Sequence, residues 1–391
     1  MSTSMSVGKG YIVRAPNTYS ATVTAPFTAS FVGVPNNGTY TTPITGGASQ
    51  FNLLGNPYPS ALYATDFING NTNVSGTLYF WTHNTPINAN QYALNGDYAS
   101  YNLSGGLAAT NSGTGNTSIP LGYIASGQGF FVKGLSNSPA VFTNNMRRAG
   151  NNAQFYRSAT DISSNDLERH RYWLNITNTE GAFKQALVAY VETATSGIDR
   201  LFDGDLVEAG NVISLYTKVD ATKLSIQGRP LPFDVADTVP LSYKSTIAST
   251  YTITMPEYDG LFTTQHVYLE DTLLQVIHDL SDSPYTFATE IGTFEDRFVL
   301  RYTNTALGNP NFESLNNSVV VATNHGELII KSHIENIQEV TVYDILGREL
   351  FFAKAIDTTS FMTSNISLSQ QALIVKIKLE NGLVVSRKII L

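Results

Sequence analysis

Three carboxylates in the segment FDGDLVEAG are the closest approach to a metal site in this sequence: Asp203, Asp205 and Glu208. Calcium ions in proteins bind about six to eight oxygen ligands, and aspartate and glutamate supply the charged ones. The segment lacks the later ligand positions and the distal glutamate of an EF-hand loop. The favoured interpretation is therefore a solvated acidic turn, with calcium binding as the alternative and no other metal site predicted.

Few residues have the types and spacing that catalysis needs. Residues 1–150 contain only two acidic side chains, Asp66 and Asp97, so a carboxylate pair for glycoside hydrolysis is not expected there. The six histidines are scattered, with no pair at the i, i+4 spacing of a helical zinc site. Cysteine is absent, which excludes disulfides, thiolate metal sites and cysteine nucleophiles. We expect no catalytic residues, no cofactor and no enzyme activity.

Aromatic residues suggest a second kind of site, a platform on which sugars could stack. The candidates lie in the segments TLYFWTH and GFFVKG, and Tyr58 lies between two prolines in GNPYPS. Neighbouring residues of a strand point to opposite faces, so no more than half of these rings could share one surface. We expect the rings to pack in a core and Tyr58 to sit in a rigid turn.

The composition indicates which elements must position these residues. Only 14% of the 391 residues are charged, whereas Tyr and Phe number 21 and 20. Short apolar runs alternate with clusters of Gly, Pro, Asn and Ser along the whole chain, as is typical of strands and turns. The sequence therefore predicts an all-β, multi-domain fold, with residues 236–246 as the most helix-like stretch.

Charge and hydropathy exclude several classes of partner. The net charge is −8, and residues 151–316 carry 11 basic and 22 acidic side chains, so no basic stripe for nucleic acid exists. The chain has no run of 18 apolar residues, so no transmembrane segment is expected. Residues 1–20 lack the apolar region of a signal peptide. We expect the chain to begin part-way through a longer protein.

The apolar runs and polar stretches predict four regions. Residues 1–152 form a β-rich module, and residues 153–306 form a second β-sandwich after a polar junction. Residues 307–318 have the composition of a linker. Residues 319–391 contain seven strand-length runs, which predict an Ig-like, seven-stranded sandwich.

The last hairpin turns at Asn381 and Gly382, the strongest short hairpin signal. A two-residue loop would scatter its apolar residues over both faces. A three-residue loop pairs Ile377 with Val385 and collects the apolar residues on one face, and a one-residue slip would invert that set. The three-residue loop is preferred, and it places Arg387 at the edge of the apolar face.

Two stretches near the end of the chain resemble a known signal. EVTVYDILGREL and LIVKIKLENGLVVSRKIIL are similar to the C-terminal sorting domain of Bacteroidetes type IX secretion cargo, and closest to its type C variant. VVVATNHGEL and QQALIVKI replace the YPNP-like start and the GxYxV motif of the common form. The signal residues implied by the resemblance are Tyr343, Asp344, Gly347, Arg348, Asn381, Gly382, Arg387, Lys388, Ile389, Ile390 and Leu391.

The upstream segments LLGNPYPSAL, GTLYFWTHNT and IASGQGFFVK resemble modules that precede such sorting domains in flavobacterial surface proteins. The resemblance implies a secreted or cell-surface protein whose last domain contacts the outer-membrane type IX translocon and its shuttle β-barrel. Two alternatives remain: a glycan-binding or adhesin module that holds surface glycans, and an accessory region of a secreted hydrolase.

The resemblance also draws attention to three short motifs. DTV, DTL and DTT fit the brief pattern of Bacteroidetes O-glycosylation, which would make Thr238, Thr272 and Thr358 the acceptors.

Overall fold

Two compact units make up the protein in the computed structural model, Met1–Asn304 and Thr305–Leu391, here called the N-terminal unit and the C-terminal unit. Strands dominate both units, which confirms the all-β, multi-domain class. The structure describes residues 4–13, 16–20, 23, 25–26, 28, 32–47, 50–82, 98–110, 117–150, 167–208, 211–304, 319–324, 327–332, 335–344, 347–364, 372–380 and 384–390.

The first half of the N-terminal unit consists of short strands and one short helix. The strands are β1 (Tyr40–Thr42), β2 (Phe51–Gly55), β3 (Ala61–Tyr63), β4 (Val74–Trp81), β5 (Tyr98–Tyr101), β6 (Gly106–Leu107), β7 (Tyr123–Ile124), β8 (Gly129–Gly134), β9 (Ala140–Phe142) and β10 (Arg147–Arg148). The helix α1 (Ala64–Gly70) and a 3₁₀ turn (Asn144–Met146) complete it. Among the described residues, no helix is long and apolar enough to cross a membrane.

These strands form three small sheets around one core. The largest has the order β2-β8-β4-β5-β6, and β10-β3-β7 and β1-β9 form the others. Helix α1 buries Ala64, Phe67 and Ile68, whose i, i+3, i+4 spacing places them on one face. At seven residues, α1 is too short for this periodicity to be recognised in the sequence, and it was not predicted.

The second half of the N-terminal unit is dominated by one large sheet. Its strands are β11 (Arg169–Thr177), β12 (Phe183–Val191), β13 (Gly204–Asp205), β14 (Ile213–Val219), β15 (Thr222–Pro230), β16 (Thr238–Ser245), β17 (Ser249–Tyr258), β18 (Tyr268–Asp271), β19 (Val276–Asp279), β20 (Tyr285–Thr289) and β21 (Gly292–Arg301), with a 3₁₀ turn at Gly260–Thr263. The order is β19-β18-β21-β16-β14-β15-β12-β11-β17-β20, with β13 beside β15. Only β12 and β15 pair in parallel within it.

Strands β11 and β12 are buried on both faces, so they join two cores. Four of their side chains belong to the core of the first half of the unit: Trp173, Leu187, Ala189 and Val191. Six others belong to the core of the large sheet: Tyr172, Leu174, Ile176, Ala186, Val188 and Tyr190. The boundary predicted near residue 152 therefore lies inside one compact unit.

A buried ion pair lies within the core of the large sheet. The Arg297 guanidinium donates to Asp271 through Nη2 at 2.8 Å, and both side chains are almost fully buried. Tyr285 donates its hydroxyl to the same carboxylate at 2.9 Å. Burial by itself raises the pKa of Asp271, but the hydrogen bonds from Arg297, Tyr285 and the Leu274 N–H outweigh it and hold the pKa below its usual value.

One local expectation was wrong. Residues 236–246 contain strand β16 and no helix, because Val239, Leu241 and Tyr243 alternate into the core with a period of two. Near the start of the chain, the Gly10 N–H donates to the Leu53 carbonyl of β2 at 2.9 Å, but residues 10–13 belong to no strand, and Ile12 and Val13 lie exposed.

The C-terminal unit forms the predicted seven-stranded sandwich within its described residues. Its strands are β22 (Val319–Asn324), β23 (Glu327–Ser332), β24 (Ile337–Asp344), β25 (Glu349–Thr358), β26 (Ser360–Thr363), β27 (Ala372–Leu379) and β28 (Val384–Ile390). One sheet has the order β22-β23-β26 and the other β25-β24-β27-β28. Apolar residues from both sheets meet in one core.

The pairing of β27 with β28 confirms the register of a three-residue loop. Ile377 lies opposite Val385, and Val375 lies opposite Arg387. Ile377 and Val385 are buried, whereas Arg387 is half-buried at the edge of the same face. The turn residues Asn381 and Gly382 lie outside the described residues.

The buried ion pair gives a test of the large sheet. Replacing Arg297 by methionine should lower the free energy of unfolding by about 3–5 kcal/mol, because the Asp271 charge then stays buried without its partner. Adding Asp271→Asn should recover part of this loss, since a neutral amide costs less to bury. Urea denaturation followed by tryptophan fluorescence measures both variants. A double variant no more stable than Arg297→Met would contradict this account.

Candidate functional site

Four residues of the motif YDILGR, at the end of β24 and before β25, are described by the structure: Tyr343, Asp344, Gly347 and Arg348. The Asp344 carboxylate accepts a hydrogen bond from the Arg348 N–H at 2.9 Å and another from Arg348 Nε at 2.6 Å. Gly347 has a φ of +79°, a left-handed conformation that glycine adopts without strain, and its N–H donates to the Asp344 carbonyl. The side chain of Asp344 is buried at 2% exposure. The conspicuous residue types of the motif are those that this turn requires.

The closing residues of the chain lie at the same end of the four-stranded sheet as that turn. Tyr343 on β24 lies opposite Ile374 on β27, and Ile374 lies opposite Lys388 on β28. One residue further along, Asp344 faces Leu373 and Leu373 faces Ile389. Tyr343 and Lys388, 45 positions apart in sequence, therefore lie in one row of the sheet on either side of β27.

The outward side of this sheet carries an apolar patch beside lysines. We call it the signature face and define it by Tyr343, Phe352, Ile374, Lys376 and Lys388. Phe352 and Ile374 are 46% and 42% exposed, which is high for large apolar side chains. In another row of the same sheet, Thr341 on β24 lies opposite Phe352 on β25 and opposite Lys376 on β27. The face combines exposed large apolar side chains with lysines.

A second candidate site is an open cleft of about 590 Å³ in the N-terminal unit. One side comes from the first half of the unit, including Tyr63, Leu121 and Tyr123. The other comes from β11 and the end of β17, including Arg171 and Tyr258. The volume lies in the range of about 300–1,000 Å³ that ligand pockets occupy.

The floor of the cleft is a fixed aromatic and ionic assembly. Trp173 donates its indole N–H to the Gly106 carbonyl at 2.8 Å and is 6% exposed. The Arg171 guanidinium lies over the indole, 5.0 Å from the ring centroid. It also forms a two-pronged pair with Asp259, at 2.5 and 3.0 Å. These contacts fix the floor residues to one another.

Aromatic rings line both sides of the cleft above this floor. Tyr63 and Tyr123 lie 5.4 Å apart, and the Arg148 guanidinium covers Tyr63 at 5.0 Å. Tyr258 on the opposite side is 48% exposed. Burial raises the pKa of the Glu257 carboxyl against the opposing charge of Arg171. The cleft thus combines one exposed and two partly exposed tyrosine rings with paired charges.

Two family models cover these sites. The model of a domain of unknown function, DUF8693, matches residues 1–302 and so includes the whole cleft. The chain belongs to the DUF8693 family. A second domain of unknown function, DUF8694, matches residues 307–391 and includes the signature face. No curated protein matches the chain.

Within the DUF8693 region, the three predicted calcium ligands do not converge. Asp205 pairs with Lys133 at 2.6 Å, and Glu208 pairs with Lys244 at 3.6 Å. Asp203 is buried and accepts hydrogen bonds from the backbone N–H groups of Asp199 and Gly228. The acidic turn is a structural element whose carboxylates are bound to other parts of the protein, so the calcium alternative is wrong.

The predicted core role of the aromatic residues is confirmed for some of them. Tyr79, Phe80 and Phe130 are buried, and the latter two belong to the core of the first half. Trp81 and Phe131 are only partly buried, so for these two the prediction was wrong. Tyr58 is also buried, and its hydroxyl donates to the Gly38 carbonyl at 2.7 Å. Asp66 is engaged by Arg148, and Asp97 lies outside the described residues.

The predicted glycosylation acceptors lie in different settings. The hydroxyl of Thr272 donates to the carbonyls of Asp296 and Arg297, and that of Thr358 donates to the Ser360 carbonyl. Thr238 is half-buried in β16. Their modification stays a prediction.

A group that the sequence did not indicate is His266 with Asp279 and Asp282, whose ligand atoms lie within 4.8 Å of one another. His266 Nδ1 and Asp279 Oδ2 are already hydrogen-bonded at 2.6 Å, and the Ser281 N–H donates to the other oxygen of Asp279. The histidine lies 13 and 16 positions before the two carboxylates, so no short sequence motif indicated that the three residues come together.

Asp203 gives a pH-dependent test of the acidic turn. Burial raises its pKa to about 6 from the usual 3.8, so the folded protein holds this proton more tightly than the unfolded chain. Stability should therefore fall as pH rises from about 4 to about 6, by roughly 3 kcal/mol from this group. Asp203→Asn should remove that decline. Urea unfolding of both proteins across this window measures it, and parallel curves would contradict the assignment.

Asp344 gives a test of the signature turn. Asp344→Ala should reduce the protection of β24 and β25 by about 1–2 kcal/mol, because the Arg348 N–H loses its acceptor. Hydrogen exchange on the full chain, read by mass spectrometry, measures this loss. Glu349→Ala is the matched control, since Glu349 is an exposed acidic residue beside the turn. Equal effects of the two substitutions would argue against a specific role for Asp344.

Proposed function

We propose that this chain is the non-catalytic C-terminal portion of a secreted or cell-surface protein. Its residues 319–391 act as a sorting domain that directs export across the outer membrane by type IX secretion. The observation that carries the proposal is the meeting of Tyr343 and Lys388, from the two parts of the signature, in one row of one sheet.

The turn and the terminal strand have different roles in this proposal. Asp344, Gly347 and Arg348 hold the turn, so they set the position of Tyr343 on the sheet. Tyr343 and Lys388 belong to the outward face and are available to a partner. The export machinery then reads a folded surface rather than an extended peptide.

Strand β28 supports the same reading. It is the outermost strand of its sheet in the part of the chain that the structure describes. An outer strand presents backbone donors and acceptors to which a partner strand can add. We propose that the outer-membrane translocon or its shuttle contacts this edge together with the signature face.

The experiment places the full chain behind a signal peptide in a bacterium that has type IX secretion. Deleting residues 388–391 should leave the protein in the periplasm, whereas the intact chain reaches the cell surface or the medium. Immunoblots of the fractions measure the distribution. A strain without the type IX translocon should retain the intact chain, and normal export of the deletion variant would refute the proposal.

A point variant separates recognition from folding. Lys388→Glu reverses one exposed charge of the signature face and leaves the core side chains in place. Lys331→Glu is the matched control, since Lys331 is exposed on β23 in the other sheet. We expect only Lys388→Glu to reduce export, by about tenfold for each 1.4 kcal/mol of lost binding. Equal export of both variants would exclude Lys388 from the recognised surface.

A further inference from the structure

We infer that the cleft of the N-terminal unit binds a neutral carbohydrate chain. This function is separate from export, because every residue that carries it lies within Met1–Asn304. The inference rests on three features of the cleft: aromatic rings on two sides, of which Tyr258 is the most exposed, a formal charge balance of zero, and an indole N–H on the floor that is already hydrogen-bonded.

The rings provide the apolar part of the interaction. Tyr258 on one side and the Tyr63–Tyr123 pair on the other border the same open space. A sugar ring has an apolar face of C–H groups that packs against an aromatic face, and its rim carries hydroxyls that stay in water. Tyrosine suits such a ligand, because it presents an apolar body and a polar tip.

The charges favour a neutral ligand. The cleft is lined by two arginines, Arg169 and Arg171, and by two acidic residues, Glu257 and Asp259. Arg171 and Asp259 neutralise each other through their two-pronged pair. An anionic ligand would have to compete with Asp259 for the guanidinium. Neighbouring sugar hydroxyls, in contrast, can donate to the carboxylates and accept from the remaining guanidinium N–H groups without breaking the pair.

A proline-rich peptide is the other ligand class that aromatic clefts bind. Such a peptide offers carbonyl acceptors and needs donors from the protein. The Trp173 indole N–H is already used by the Gly106 carbonyl, so it is not available to a peptide carbonyl. The carboxylates of Glu257 and Asp259 need donors from the ligand, which a sugar supplies through its hydroxyls and a proline residue, without a backbone N–H, does not.

The volume favours a ligand larger than a single sugar. The cleft holds about 590 Å³ and is open to solvent. This space exceeds what one sugar ring fills, so the inferred ligand is an oligosaccharide or a polysaccharide segment of more than one ring.

The test uses the full chain and the fluorescence of Trp173. The protein has two tryptophans, so Trp81→Phe leaves the cleft residue as the only reporter. Cellohexaose, xylohexaose and maltohexaose are titrated as neutral probes, with hexagalacturonate as the anionic probe and decaproline as the peptide probe. We expect at least one neutral hexasaccharide to change the fluorescence with saturation, and calorimetry on the unmodified chain to confirm binding.

Variants locate the binding within the cleft. Tyr258→Ala and Tyr123→Ala should each weaken binding by about tenfold, whereas Tyr258→Phe keeps the ring and most of the affinity. Phe51→Ala is the matched control, since Phe51 is 46% exposed and is not among the residues that line the cleft. Circular dichroism checks that each variant folds.

Four results would overturn the inference: no binding of the three neutral probes at millimolar concentration, tighter binding of hexagalacturonate, Tyr258-dependent binding of decaproline, or binding that the cleft variants leave unchanged. None of these results bears on export, which the secretion assay tests separately.

Discussion

The N-terminal unit depends on the burial of β11 and β12 on both faces. Trp173 and Leu187 enter one core, while their neighbours Tyr172 and Val188 enter the other. A slip of one residue would exchange the two faces, so both cores fix the same register. This shared pair of strands turns two apparent modules into one compact unit.

The cleft is a consequence of that junction. Where the first-half loops approach the start of β11, the two cores diverge and leave an open space. Trp173 forms the floor of the cleft. Arg171, two residues earlier on the same face of β11, borders the same space and pairs with Asp259. The C-terminal unit differs, because the four-stranded sheet packs one face in its core and leaves the signature face outward.

Most strands were predictable because alternation records burial directly. The register of the last hairpin was predicted from the requirement that Val375, Ile377 and Val385 lie on one face of the sheet. The structure has that register. One element was missed because its pattern was too short, since α1 has only seven residues. Calcium binding was the less favoured alternative for the acidic turn, and its three carboxylates have separate partners, because proximity in sequence does not make carboxylates converge.

The sequence by itself determined the all-β class and the seven strands of the C-terminal unit, since these depend on local alternation and turn chemistry. Only the tertiary structure decided which distant residues meet. It placed Tyr343 beside Lys388 across β27, and it joined Tyr63, Trp173 and Tyr258 around one cleft. Such contacts follow from strand order and from the packing of whole sheets, which no local pattern of residues encodes.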